Sequence, residues 1–310
     1  MTHVPAVSVM MPVYNALPYV AEAVRSILTQ TMGDFELVVI DDGSTDGSKQ
    51  LLEAQAARDE RIRLISRENR GISATRQQML ETARGEYVAV LDADDVALPD
   101  RLEKQRAFLD SNSDVVCVGG SFDAIDEAGR FLRVFELPTE HEQIDQSLIR
   151  GVNVICHSAV MMRRKVALAV GGYDPLLAPS EDYDLWLRMG EVGRLANLPQ
   201  VLVRYRYHGS SASSLGRQIQ METARRACER AWKRRGIAGR FEATDQWRPG
   251  ADRRSRHEFA VRFGWWAFTS RQWKTAAIYG ARAVAMRPFS ADGWRVLACA
   301  LLKRTSGGRP

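Results

Sequence analysis

An α/β fold with a mostly parallel central sheet flanked by helices, extended at its C-terminal end by further helices, is what this 310-residue sequence predicts. Three observations predict it. Over the first hundred residues short apolar runs alternate with stretches of helical period. The runs AVSVMMPV, FELVVI and YVAVL are apolar throughout rather than alternating, as strands buried on both faces of a parallel sheet are. From about residue 218 the strand signals stop, and a basic, helical stretch takes over.

Residues 6–13 form the first predicted strand, which ends in Pro12-Val13-Tyr14-Asn15. A helix over 17–31 follows, with Val20, Ala23, Val24, Ile27 and Leu28 at helical spacing. The second strand, 35–40, stops at the turn Asp41-Asp42-Gly43-Ser44-Thr45-Asp46-Gly47-Ser48, whose Ser, Thr and Asp can cap a helix running to about residue 58. Residues 62–66 are a third strand, Asn69-Arg70-Gly71 a turn, and 72–84 a helix. The fourth strand, 87–91, opens after Gly85 and ends abruptly in Asp92, Asp94 and Asp95. Asp95 or Asp100 can cap the helix that Pro99 introduces. A strand at 114–120, a hairpin over 121–137, a helix at 140–150, a strand at 156–164 and a helix up to Gly171 come next. Gly171-Gly172-Tyr173 makes a sharp turn, and Ser180 caps a helix starting at Glu181. Asp182 then falls in a first turn, where the helix dipole favours an anion. Helices at 222–235, 253–270, 273–286 and 291–303 complete the chain, the last three weakly similar to a tetratricopeptide-like unit. The expected division is a catalytic domain at 1–215 and a basic helical region at 216–310.

Composition narrows the function. The 45% apolar content is that of a globular protein, and no apolar run reaches the ~20 residues of a membrane span. The N-terminal stretch has no basic region followed by a small-residue cleavage site, so a signal peptide is not expected. The four cysteines are scattered, which argues against a zinc site or a disulfide framework and suits the reducing cytoplasm. The net charge of +5 hides an asymmetry. Residues 1–200 carry 20 Lys and Arg against 31 Asp and Glu, whereas 201–310 carry 23 against 7. Charge alone would permit nucleic-acid binding, but no recognition motif supports it, and none is expected.

The strand ends carry groups suited to a nucleotide. Tyr14 offers a ring to stack a base, and Asp42 a carboxylate to a base or ribose. Three carboxylates within four residues repel one another unless a cation sits among them, and oxygen ligands suit Mg²⁺ or Mn²⁺. There is no GxGxxG and no GxxxxGK[ST], so the phosphates need another cradle. A metal on Asp92 and Asp94, helped by Arg70 or Arg76, is the candidate. The competing readings are solvated acidic loop residues or helix caps for the aspartates, and a core aromatic for Tyr14. His157, at the edge of an apolar run, reads first as a structural histidine and second as an acceptor-site candidate.

Taken together, PVYN (12–15), VVIDDGSTDGS (38–48), NRGISATR (69–76), GEYVAVLDADD (85–95), GGYD (171–174) and SEDYDLWLR (180–188) resemble a family 2 glycosyltransferase of the GT-A fold. The resemblance covers roughly residues 6–210. It implies that Tyr14 stacks on the nucleobase and Asp42 hydrogen-bonds it. Pro12, Arg70, Arg76, Ala93 and Gly172 join the nucleotide-sugar site. Asp92 and Asp94 are similar to the DxD pair that holds ribose and metal, with Asp94 the direct ligand and His208 completing the metal shell. Asp182 is implied as the general base, and Glu181 as the group that orients it or touches the acceptor.

The implied reaction is transfer of a single sugar from a nucleoside diphosphate donor, first of all a UDP-sugar, to a glycan or lipid-linked acceptor hydroxyl, with inversion. Cell-surface polysaccharide, lipopolysaccharide or protein glycan synthesis are the settings it suggests, in the cytoplasm. The QxxRW of processive relatives is absent, since Gln200 is followed by Val-Leu-Val-Arg-Tyr. The stretch 210–214, flanked by Gly209 and Gly216, is a candidate lid. The tryptophan-bearing basic region reads either as a layer packed on the catalytic domain or as a peripheral contact with the inner face of a membrane. The alternatives are a sugar nucleotidyltransferase, which lacks its glycine-rich N-terminal loop here, and an inactive nucleotide-sugar-binding or scaffold module.

Overall fold

The computed structural model describes residues 3–209, 217–243 and 252–306. Its elements in chain order are β1 (Val7–Val13), α1 (Val20–Leu28), β2 (Phe35–Asp41), α2 (Ser48–Ala56), β3 (Ile62–Ser66), α3 (Ile72–Thr82), β4 (Tyr87–Val90), β5 (Val96–Ala97) and α4 (Arg101–Ser111). Then come β6 (Val115–Asp126), β7 (Phe131–Phe135), α5 (His141–Leu148), β8 (Met161–Arg163), α6 (Arg164–Ala169), α7 (Glu181–Met189) and β9 (Arg194–Tyr207). The helices α8 (Arg217–Arg235), α9 (Arg253–Thr269), α10 (Trp273–Met286) and α11 (Ala291–Ser306) follow. The expected α/β class, with a C-terminal helical extension, is present. The candidate lid at 210–214 lies outside the described residues.

The sheet runs β3-β2-β1-β4-β8-β6-β9-β5, with β7 paired to β6. β3, β2, β1 and β4 are parallel, in a register that sets Val13 beside Asp41 and Met10 beside Val90. β8 joins β4 and β6 antiparallel, and β5 joins β9 antiparallel. Alternate residues of the parallel strands enter opposite cores, as the pleat requires. Val7, Val9 and Met11 pack with Val20, Val24 and Ile27 of α1. Met10, Val38 and Val90 pack with Met79 and Leu80 of α3 and with Leu185 and Trp186 of α7. The helices on that second face thereby bring α3 and α7 to the ends of β1, β2 and β4.

Two expectations need correction. Residues 156–164 are not one strand: His157–Ala159 is a single 3₁₀ turn, and only Met161–Arg163 is β8. The turn's own bonds, from the Ala159 N–H to the Cys156 carbonyl and from the Val160 N–H to the His157 carbonyl, replace a ladder there, and buried Arg101 donates to the carbonyls of Val90 and Val160 beside it. Ser180 and Asp100 precede α7 and α4, but neither side chain caps its helix. The Ser180 hydroxyl instead binds Thr223 and the Gln220 carbonyl of α8.

The chain forms two compact units, Met1–Phe122 with Glu136–Tyr205 and Gln218–Thr244, and Asp123–Phe135 with Arg206–Arg217 and Asp245–Pro310. In the second, Gly280 lets α10 meet α11, since a Cβ there would lie 2.7 Å from the Leu297 nitrogen. Buried Asp126 accepts from the Tyr279 hydroxyl at 2.9 Å and from Arg130 at 2.7 Å, anchoring the β6–β7 hairpin to α10. Among the described residues no helix is long and apolar enough to cross a membrane.

Candidate active site

The carboxyl ends of β1, β2 and β4 lie side by side near the start of α3, at the edge where open α/β sheets bind ligands. Pro12 is buried within β1, beside Ile40. Tyr14, just beyond the strand, leaves 55% of its surface exposed. Its loop is tied down. The Asn15 N–H donates to Ser44 Oγ at 2.9 Å, the Asn15 side chain accepts from the Thr45 N–H at 2.8 Å, and the Leu17 N–H donates to Asp46 at 2.9 Å. The tyrosine ring therefore stands on a fixed base with an open face.

Asp42 is buried, and both its oxygens are used. It accepts from Arg67 at 2.7 Å and from the backbone N–H groups of Arg70 and Gly71 at 3.0 and 2.9 Å. It thus fastens the turn that starts α3. Arg70 supplies only its backbone to this contact, and its side chain is exposed. Nothing in the sequence singles out Arg67 from the arginines around it.

Arg76 joins two distant parts of the chain. Its Nη2 donates to Asp92 Oδ1 at 2.8 Å and its Nη1 to Glu181 Oε1 at 2.6 Å. The end of β4 and the start of α7 meet through this one guanidinium. The Asp92 N–H donates to Ser158 Oγ at 3.2 Å, so the 3₁₀ turn holds the strand end from behind. Ala93 is buried in the core beneath, while Asp94 is half-buried. Asp182, also half-buried, accepts from the Tyr183 N–H at 2.7 Å.

The electrostatics follow from this packing. Burial opposes the charge of Arg76, but Asp92, Glu181 and Asp182 overcome it and hold its pKa above the usual arginine value. Burial would raise Asp92, and Arg76 outweighs it, so that carboxyl sits below its ordinary range. At Asp182 burial and the neighbouring Glu181 push the pKa up to about 6, against the pull of Arg76. Burial, then Arg76, hold His157 neutral, well below the usual histidine range.

Behind these carboxylates lies a group of buried polar atoms with no protein partner: both His157 nitrogens, the Tyr173 hydroxyl, Trp186 Nε1 and Glu181 Oε2. His157 packs between Tyr173, edge-on at 5.8 Å, and Trp186 at 5.6 Å. Native interiors leave few such groups. Of these residues only His157 and Glu181 stood out in the sequence. Tyr173 stood there only as part of a sharp turn, and Trp186 only within the SEDYDLWLR motif.

Gly172 has φ +64°, and a Cβ there would lie 2.0 Å from Gln77 Oε1. The tight turn is thus set by Gln77, which accepts from the Tyr173 N–H at 2.8 Å. His208 follows β9 and belongs to the second unit.

The donor set suits a divalent cation. Asp92 keeps its second oxygen beyond the Arg76 contact, and Asp94 adds a second carboxylate of hard oxygen donors. Among the described residues no group of three or more His, Cys, Asp and Glu gathers as a closed cage. Mg²⁺ binds through as few as one or two carboxylates and takes further ligands from water and substrate phosphates.

Comparison with known proteins gives a family. The model of glycosyl transferase family 2 matches residues 8–171. An uncharacterized glycosyltransferase of Haemophilus influenzae is 34% identical over 239 residues, 73% of each chain. A putative teichuronic acid biosynthesis glycosyltransferase of Bacillus subtilis, TuaG, is 32% identical over 68% of this chain and 82% of its own. Among solved structures, the mannosyltransferase PcManGT of Pyrobaculum calidifontis, in complex with GDP-Man and Mn²⁺, superposes with a TM-score of 0.57. It covers 99% of this chain and 89% of that one at 18% identity, a likeness of fold.

Proposed function

The chain belongs to glycosyl transferase family 2, and from that premise we propose that it moves a single sugar from a nucleoside diphosphate donor to an acceptor hydroxyl, with inversion at the anomeric carbon. One observation carries this reading. Arg76 binds Asp92 and Glu181 at once, so the strand-end carboxylates share a site with an Asp182 whose pKa is about 6.

The roles follow from the residues. Tyr14 stacks on the base with its open face. Asp42 accepts from base or ribose with the lone pairs its backbone donors leave. A divalent cation held by Asp92 and Asp94 supplies, when bound, charge neutralisation for the leaving diphosphate. Arg76 keeps a fixed positive charge beside that site. Asp182 is ionised at neutral pH yet basic enough to take a proton. As the acceptor oxygen bonds to the anomeric carbon, the bond from that carbon to the diphosphate oxygen breaks, and the acceptor proton ends on Asp182. One base on one face implies direct displacement, with no second carboxylate as a covalent nucleophile.

The donor is a UDP-sugar in the first instance. The acceptor is a glycan or lipid-linked glycan of cell-surface polysaccharide, lipopolysaccharide or related synthesis, and TuaG supports that class. A catalytic domain over 1–215, His208 as a further metal ligand, and a membrane contact made by 216–310 complete the proposal. A transfer assay with UDP-, GDP-, dTDP- and CDP-sugars, each with Mn²⁺ or EDTA, tests it. Turnover with one nucleotide class, lost in EDTA and in Asp182→Asn, is expected. Turnover unaffected by EDTA would remove the metal from the mechanism, and no nucleotide release with any donor would remove the enzyme reading.

A further inference from the structure

The helix α11 is apolar on two sides. Gly293, Val296 and Ala300 are buried on its inner face. Trp294, Ala298, Leu301 and Leu302, at i, i+4, i+7 and i+8, form a second stripe that is exposed, with Trp294 at 51% and Leu302 at 70%. A surface helix with nothing to bind places charge there. The stripe continues into the turn before α11. Trp294 Nε1 donates to the Pro288 carbonyl at 2.8 Å, and the next residue, Phe289, is fully exposed. The same turn walls a cleft of about 720 Å³ whose other sides include Arg253, Arg254 and Arg287. Arg254 pairs with Glu258 at 3.0 Å. Among the described residues, neither Arg253 nor Arg287 has an acidic partner.

We propose that this turn and the outer stripe of α11 dock on an anionic phospholipid surface, with Phe289 and Trp294 at headgroup depth and the arginines on the lipid phosphates. The proposal deepens the membrane contact put forward for 216–310 by assigning it to particular residues. Charge complementarity selects the occupant. An exposed apolar stripe bordered by arginines without acidic partners among the described residues, within residues 201–310 that hold 23 Lys and Arg against 7 Asp and Glu, matches an apolar interior beneath anionic headgroups. A nucleic acid would leave Phe289, Leu301 and Leu302 without use, and a purely apolar protein partner would leave the arginines without counter-charge.

Co-sedimentation of the full chain with vesicles tests the proposal, comparing phosphatidylcholine alone with phosphatidylcholine containing about a third phosphatidylglycerol. The chain is expected to pellet with the anionic vesicles only, and less at high salt. Arg253→Gln with Arg287→Gln should weaken binding about 25-fold, roughly fivefold per charge. Phe289→Ser, at a fully exposed position that folding does not need, should weaken it severalfold. Nucleoside diphosphate release by Phe289→Ser should equal that of the parent, so vesicle binding and turnover fail independently. Failure to pellet at low salt would overturn the proposal, as would binding indifferent to these three residues. So would a dimer in solution that Leu302→Glu dissolves without any vesicle binding, which would give the stripe to a second copy.

Discussion

Arg76→Met removes the cation shared by Asp92 and Glu181 while keeping much of the arginine's apolar volume. The two ion pairs it breaks are 2.6 and 2.8 Å long, and the three side chains are 11%, 27% and 1% exposed for Arg76, Asp92 and Glu181. Asp92 can recover hydration, but Glu181 cannot. Removing one partner from a buried ion pair costs about 3–5 kcal/mol, most of it for the charge left behind. The variant should therefore lose about 3–5 kcal/mol at pH 7.5, a fall in Tm on the order of 10 °C. The pH dependence gives a sharper check. With Arg76 present, Asp92 has a lowered pKa, so its contribution is full above the unfolded value and lost as pH falls through the folded one. Without Arg76, burial is left to raise Asp92, and that contribution is greatest at low pH and fades as pH rises. The gap between parent and variant should accordingly shrink between pH 7.5 and pH 5. Adding Glu181→Gln to Arg76→Met should return about 2 kcal/mol. Urea unfolding at the two pH values measures all of this. A loss under about 1 kcal/mol at pH 7.5, or one equal at both pH values, would refute the clamp.

Asp182→Asn should lower kcat by about 10²–10⁴ with nucleotide-sugar affinity unchanged, measured by initial rates beside calorimetry, and equal rates would sink the base assignment. In the parent, kcat/KM should fall as pH drops through about 6, since burial and Glu181 set the Asp182 pKa there, and a flat profile across pH 5–7 would count against it. Tyr14→Ala should weaken nucleotide binding about tenfold without changing Tm, because the ring is largely exposed; a large Tm loss would make Tyr14 structural. Gly172→Ala should destabilise the fold by about 1–2 kcal/mol in thermal melts, its φ of +64° and the Gln77 contact both opposing a Cβ.

The parallel half of the sheet was legible because its strands are buried on both faces. β1 and β2 are buried at every position, and a continuous apolar run between turn residues is the direct signature of that burial. β9 was not legible. Its burial follows no clean alternation, Pro199 interrupts it, and Arg204 and Arg206 read as surface. The antiparallel pairing of β8 with β4 and β6 leaves no local mark either, since a three-residue strand has too few positions to show a period. In the site, Asp42, Asp92 and Asp94 stood out as carboxylates at strand ends and Arg76 as a nearby cation, whereas Glu181 and Asp182 were implied by the family resemblance. What they could not reveal is partnership. Arg76 and Glu181 are 105 residues apart, and nothing in either segment says which carboxylate the guanidinium reaches. The unpartnered atoms of Tyr173 and Trp186 were equally hidden, because spacing marks a buried aromatic but not whether its polar atom finds a partner.

The most direct test of the central claim is thermal shift with UDP, GDP, CDP and dTDP, each with and without Mn²⁺, on the parent chain and on Asp94→Asn. One nucleotide should raise Tm, the rise should need the metal, and Asp94→Asn should abolish it. Stabilisation that is the same without metal, or that survives Asp94→Asn, would contradict the metal site. Stabilisation by no nucleotide at all would leave a family 2 fold without its donor.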